Sequence, residues 1–183
     1  MSVKHAAGTF FRIPFLLAAL LLVSACARTV PEMELQTLSS VELDPSRQQM
    51  ALREVRTLQA KGQRVWCVPF ARNVSGVEIR GNAETWWGKA KGIYDRGTEP
   101  VVGAVMAFSA TGSMPMGHVA VVSEVVSDRE IRVDHANWER NKVSLKMAVV
   151  DVSKQGDWSA VRVESRPETF GSVYPINGFI YPQ

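Results

Sequence analysis

The sequence predicts an α+β fold, N-terminal helices packed on an antiparallel β-sheet, from three observations. Helical spacing with cap residues is confined to residues 44–91. From Pro100 onward, short runs rich in β-branched and aromatic residues alternate with Gly, Ser, Asp, Asn and Pro. No βαβ alternation and no internal repeat interrupts this order, so the sheet is antiparallel, not parallel.

The first element is a processing signal. Residues 1–12 carry Lys4, His5 and Arg12 and no acid, and Phe15–Val23 is an unbroken run of nine apolar residues. Ser24-Ala25-Cys26-Ala27 comes next, giving residues 1–25 the layout of a secretory signal peptide. The run is too short for a transmembrane helix, which needs about 20 apolar residues. Val23-Ser24-Ala25-Cys26 resembles a bacterial lipobox, whose Cys becomes lipid-modified, and Ala25-Cys26-Ala27 also fits ordinary signal peptidase. The lipobox is favoured. It implies a membrane anchor at Cys26, with Ala27 pointing to an outer membrane. Residues 26–43 read as a polar tether, and residues 44–183 as the folded domain.

Removing Lys4 and Arg12 from the 21 basic residues leaves 19 against 18 acidic, so the remainder is near neutral. With no Lys/Arg cluster, nucleic-acid binding is not expected. The two cysteines are Cys26 and Cys67. If Cys26 carries lipid or is clipped, Cys67 has no disulfide partner, and a lone thiol in an exported chain needs a reason.

Asp44-Pro45 opens the first helix as N-cap and first helical residue; Ala51, Val55 and Leu58 form its apolar stripe, and Gly62 ends it. Cys67–Val74 forms a short second helix started by Pro69 and ended by Gly76. Asn82 is expected to cap a third, Ala83–Lys91, that stops at Gly92. The strands fall at Val101–Phe108, Val119–Val126, Glu130–Trp138, Val143–Val152, Ser159–Glu164 and Gly178–Tyr181.

Three positions carry candidate chemistry. Cys67 sits at a helix start, where the helix dipole and a nearby imidazole are expected to lower the thiol pKa. His118 heads an apolar strand. On the next strand Ile131, Val133, His135 and Asn137 share one face, and Arg132 and Asp134 the other. If Asp128-Arg129 forms a two-residue hairpin turn, Ala120 pairs with Asn137, His135 lies opposite Val122, and His118 is diagonal to Asn137. A one-residue slip would bring Asp134 round instead.

Cys67-Val68-Pro69-Phe70-Ala71-Arg72, Gly117-His118-Val119-Ala120-Val121-Val122 and Asn137-Trp138 resemble the three signature blocks of the CHAP domain, over about residues 61–145. CHAP domains are cysteine- and histidine-dependent amidohydrolases/peptidases, papain-like relatives of NlpC-type cell-wall hydrolases. The resemblance implies a papain-like α+β fold, with Cys67 as nucleophile, His118 as general base and Asn137 as the residue that orients His118. Many relatives have an acid where this chain has His135, and NlpC-type relatives often use a histidine as the third residue. The orienting residue is therefore open among Asn137, His135 and Asp134.

With export, the resemblance implies hydrolysis of amide bonds in peptidoglycan, by an endopeptidase or amidase, through a thioester. No cofactor and no metal is expected, since the thiol and two histidines lack zinc spacing. Trp66, Trp86, Trp87 and Trp138 flank the blocks; at least half are expected in the core and the rest along a groove. Arg72 and Arg80 read as solvated surface charge, with contact to substrate carboxylates as the alternative. Two other readings remain: a non-catalytic envelope lipoprotein that binds cell wall or a partner, and a papain-like acyltransferase.

Overall fold

The computed structural model describes residues 42–183. The expected signal peptide, Cys26 and all but the end of the tether lie outside the described residues.

Helix α1 spans Pro45–Ala60, and the Asp44 carboxylate accepts from the N–H groups of Ser46 and Arg47. That cap satisfies two first-turn donors that would otherwise lack partners. Helix α2, Cys67–Ser75, ends at Gly76, whose φ of 78° is the left-handed conformation of a helix stop. The expected third helix is broken. Ala83–Thr85 is a 3₁₀ turn and α3 covers only Trp86–Ala90, with no cap bond from the Asn82 side chain. The Glu84 N–H donates to the Met116 carbonyl, 3.0 Å away, which binds this turn to the loop before His118.

Seven strands complete the domain: β1 Arg96–Gly97, β2 Val105–Phe108, β3 His118–Ser127, β4 Glu130–Ala136, β5 Val143–Asp151, β6 Ala160–Arg166 and β7 Thr169–Ile180. They form one antiparallel sheet in the order β1-β7-β2-β3-β4-β5-β6, and β7 also pairs with β6. Six strands thus close into a barrel-like ring, with β1 added on β7. Strand β7 begins well before the expected Gly178. Its first half pairs with β6 as far as Ala160 opposite Pro175, and its second half pairs with β2 from Phe108 opposite Ile176. Pro175, which lacks an N–H, occurs in mid-strand because it lies where β7 changes partner.

The β3–β4 register differs from the simple hairpin. Ser127 faces Glu130, so Asp128-Arg129 does form the turn, but two bulges in β3 set Val121 opposite Asp134. An unbroken ladder would have placed Val121 opposite Ala136. Each bulge puts an extra residue into one strand and re-aims the side chains beyond it.

Two apolar clusters make the core. The inner one draws on all six ring strands, including Met106, Phe108, Ala120, Val122, Val133, Val149, Val161 and Phe179. The outer one joins Ala51 and Val55 of α1, Phe70 and Val74 of α2 and Trp86 of α3 with Ala107, Val119, Val121 and Ala136 of the sheet. Each large apolar side chain buried this way contributes roughly 1.5–3 kcal/mol. Cys67 packs against the outer cluster.

Candidate active site

The site is built where the start of α2 meets the start of β3. The backbone N–H groups of Val119, Val68 and Cys67 itself favour the thiolate form of Cys67. Val119 immediately follows His118, so the group acting on the thiol belongs to the strand entrance that carries the imidazole. Gly117, just before the histidine, has a φ of 64°, and a Cβ there would lie 2.8 Å from the Glu84 backbone nitrogen. Only glycine fits that corner without displacing backbone. The same corner delivers His118 as the first residue of β3, opposite Phe108.

His118 Nε2 lies 3.0 Å from His135 Nδ1, and His135 Nε2 lies 3.2 Å from Met147 Sδ. Both imidazoles are enclosed by aromatic rings. Trp138 stacks on His135 at 5.6 Å and meets His118 edge-on at 5.1 Å, while Phe108 meets His118 at 5.5 Å. This enclosure disfavours the charged imidazolium. Burial, and then the neighbouring His135, hold the His118 pKa well below the usual histidine range. Burial lowers that of His135 to about 4, against a weaker opposing pull from Glu139.

The thiol differs from its sequence-based expectation. Burial raises the Cys67 pKa, outweighing the three backbone N–H groups that favour the thiolate. Desolvation of the anion is the larger effect, because the sulfur lies under the outer core. Burial thus disfavours both the thiolate and the imidazolium.

The three candidates for the third residue go to different places. His135 makes the contact with His118. Asn137 lies beyond the end of β4 with a φ of 62°, and its Oδ1 accepts from the Asn141 N–H at 2.9 Å and from Arg64 Nε at 3.3 Å. Its side chain thus organises the 137–142 turn. Asp134 faces the helices: Oδ2 accepts from Gln48 on α1 at 2.6 Å and Oδ1 from the Lys146 N–H at 2.8 Å. The bulges account for the outcome, since they shift β4 along β3 relative to the unbroken hairpin.

The 137–142 turn also reaches the other half of the site. Asn141 Oδ1 accepts from the Val65 N–H at 2.9 Å, and the Asn141 carbonyl accepts from Gln59 at 2.8 Å. A clasp between two loops thereby joins the segment leading into Cys67 to the end of the strand carrying His135.

Cys67 and His118 open onto a groove of about 820 Å³, also lined by Arg64, Trp66, Asn137, Trp138 and Tyr174. Of the four tryptophans singled out from sequence, Trp66 and Trp138 line the groove. Trp86 is fully buried, and Trp87 lies under the Arg96 guanidinium. Neither Arg72 nor Arg80 is a lining residue. Arg64 is, and it is the one charged side chain among them. Its guanidinium stacks on Trp66 at 4.1 Å. Its position three residues before Cys67 was the available sequence signal, but helical and strand periodicities say nothing about a loop residue.

No curated protein matches the chain. The family model of the CHAP domain matches residues 59–137, a stretch that contains Arg64, Cys67, His118, His135 and Asn137. The family is in general one of cysteine- and histidine-dependent amidohydrolases/peptidases, which is the chemistry a thiol and an imidazole in one groove serve. Over residues 59–137 the chain is similar to the CHAP domain.

Proposed function

We propose that the protein is an exported cysteine hydrolase that cleaves amide bonds in peptidoglycan through a thioester. The observation that carries this reading is the shared groove, which Cys67 and His118 both line while His118 is held by His135. In this scheme Cys67 is the nucleophile, His118 the general base and His135 the positioning residue. Asn137 supports the groove wall through Arg64 and Asn141.

The Nε2 atom of His118 is engaged by His135, which leaves Nδ1 for the thiol. As Sγ adds to the substrate carbonyl carbon, its proton passes to Nδ1 and the carbonyl oxygen takes up negative charge. Pro69 has no N–H and that of Phe70 donates to the Trp66 carbonyl, so the Cys67 and Val68 N–H groups are the first-turn donors suited to receive that oxyanion. Collapse breaks the C–N bond, and the imidazolium gives its proton to the leaving amine. Water then attacks the thioester while His118 takes its proton; the C–S bond breaks and the thiolate is reprotonated.

Because both pKa shifts disfavour a resting thiolate–imidazolium pair, proton transfer accompanies attack. General acid–base action is worth roughly 10²–10⁴-fold and one oxyanion donor about 10²–10³-fold. Arg64, fixed by Trp66 and Asn137, suits a substrate carboxylate, and peptidoglycan stem peptides carry such groups. For location, we propose export under the signal at residues 1–25 and lipid anchoring at Cys26. Unchanged membrane fractionation of Cys26→Ser would reject the anchor.

The test is digestion of purified peptidoglycan by wild-type protein beside Cys67→Ala, with mass spectrometry of the fragments. New amine and carboxyl ends in the wild-type digest alone are expected, and they name the bond. Identical fragments from both proteins would remove the hydrolase reading for this substrate.

A further inference from the structure

We propose that Met147 is a positioning residue whose sulfur sets which nitrogen of each buried histidine carries the proton. The inference rests on the reading of His118 as general base, and it concerns a residue outside the matched stretch 59–137.

A thioether sulfur has lone pairs and no proton to donate, so it can only accept. At 3.2 Å from Met147 Sδ, His135 Nε2 must be the donor, because a bare nitrogen there would set two lone pairs against each other. A neutral imidazole carries one proton, so His135 Nδ1 is bare and accepts. Its partner at 3.0 Å, His118 Nε2, is then the donor. Neutral His118 has no second proton, and its Nδ1 is bare. A general base requires that state, and it is set by an atom two residues removed from the thiol.

The fold places this sulfur deliberately. The β4–β5 register shifts between Val133 and His135, and Met147 is set opposite Val133 on the face that His135 continues. Lys146, at a φ of 51°, forms the shift, and its N–H is pinned by Asp134 Oδ1 at 2.8 Å. Glu139 is the charged group that acts on His135, and His135 is the titratable group that acts on His118. The rings of Trp138 and Phe108 cover much of what remains.

The order also suits the catalytic cycle. When His118 takes the thiol proton on Nδ1, its Nε2–H goes on donating to His135 and no other proton moves. In the opposite order, His135 Nδ1–H would donate to His118 Nε2. The His118 proton would then sit on Nδ1, a donor facing the thiol and unable to accept from it. Met147 disfavours that order, because its sulfur would then face a bare His135 Nε2.

The experiment records ring ¹⁵N shifts of the purified protein labelled at histidine, at neutral pH, for wild type, Met147→Leu and Met147→Gln, alongside kcat and KM. Wild type is expected to show both histidines protonated on Nε2. In Met147→Leu, which keeps the volume and loses the acceptor, the His135 proton is expected to redistribute toward Nδ1. With it kcat falls about three- to tenfold at unchanged KM, the scale of one modest hydrogen bond. Met147→Gln, whose amide oxygen accepts, is expected to restore the wild-type shifts and most of kcat.

A wild-type His135 protonated on Nδ1, or Leu-variant shifts identical to wild type, would overturn the proposal. If neither variant folds, the wild-type spectrum alone decides it. The shifts are read without turnover, so an inactive protein with the expected proton order sinks the hydrolase reading and leaves this one standing.

Discussion

Lowering the pH should destabilise this fold more steeply than its composition suggests, because two histidines are buried uncharged. In the unfolded chain each has a pKa of about 6.5; in the fold His135 is brought to about 4 by burial. Between those values the unfolded state binds a proton that the native state refuses, so stability falls as pH falls through that window. For His135 alone, going from pH 7 to pH 4.5 costs about 2.4 kcal/mol by this linkage. His118, lowered in the same direction, adds to it. For a domain of this size that loss corresponds to a fall in Tm of about 8 °C from His135 alone. The assay is urea unfolding at both pH values for wild type and His135→Gln, whose side chain does not titrate. The variant should lose about 2.4 kcal/mol less than wild type over the interval, at equal m. Equal losses in the two proteins would refute the claim that His135 is held neutral.

Three further outcomes are expected from the geometry. Iodoacetamide labelling of Cys67 should be slow at neutral pH and should rise with a midpoint above the free-thiol value, since burial raises its pKa; a midpoint below neutrality would contradict that balance. Gly117→Ala should lose about 1 kcal/mol or more, on the order of a strained left-handed residue, and should also lower kcat, because the new methyl meets the Glu84 backbone and displaces His118. Calorimetry and turnover read the two effects separately, and an unchanged Tm would show that the corner relaxes freely. Arg64→Ala should raise KM roughly tenfold for peptides with a free carboxylate near the scissile amide and leave KM for the amidated peptides unchanged. Equal effects on both would remove the carboxylate contact.

The features legible ahead of the structure obey local rules. Asp44, Pro45, Pro69 and Gly76 mark helix ends through their own backbone chemistry, and α1 and α2 lie where those residues put them. The blocks around Cys67 and His118 were equally legible, because a glycine before the histidine and a proline after the cysteine are local signals. Features that depend on distant pairing were not. The expected third helix is split into a 3₁₀ turn and a short α-helix, and its start is tied to Met116, 32 positions from Glu84 in sequence. The first half of β7 was obscured by Gly171 and Pro175, which are accommodated through its pairing with β6 and its change of partner. The contact between His118 and His135 depends on two bulges that hairpin arithmetic does not contain. Arg64 and Met147 carry no motif at all; proximity alone gives them meaning.

Strand β7 belongs to two pairings, and this makes the ring mechanically indivisible. Its one stretch of backbone is the seam for β6 and for β2, strands that no other ladder joins directly. Losing either pairing therefore opens the ring, and β2 is the strand whose Phe108 faces His118. The barrel should then open as a single unit instead of fraying strand by strand, with amide exchange in β2, β6 and β7 governed by a common opening.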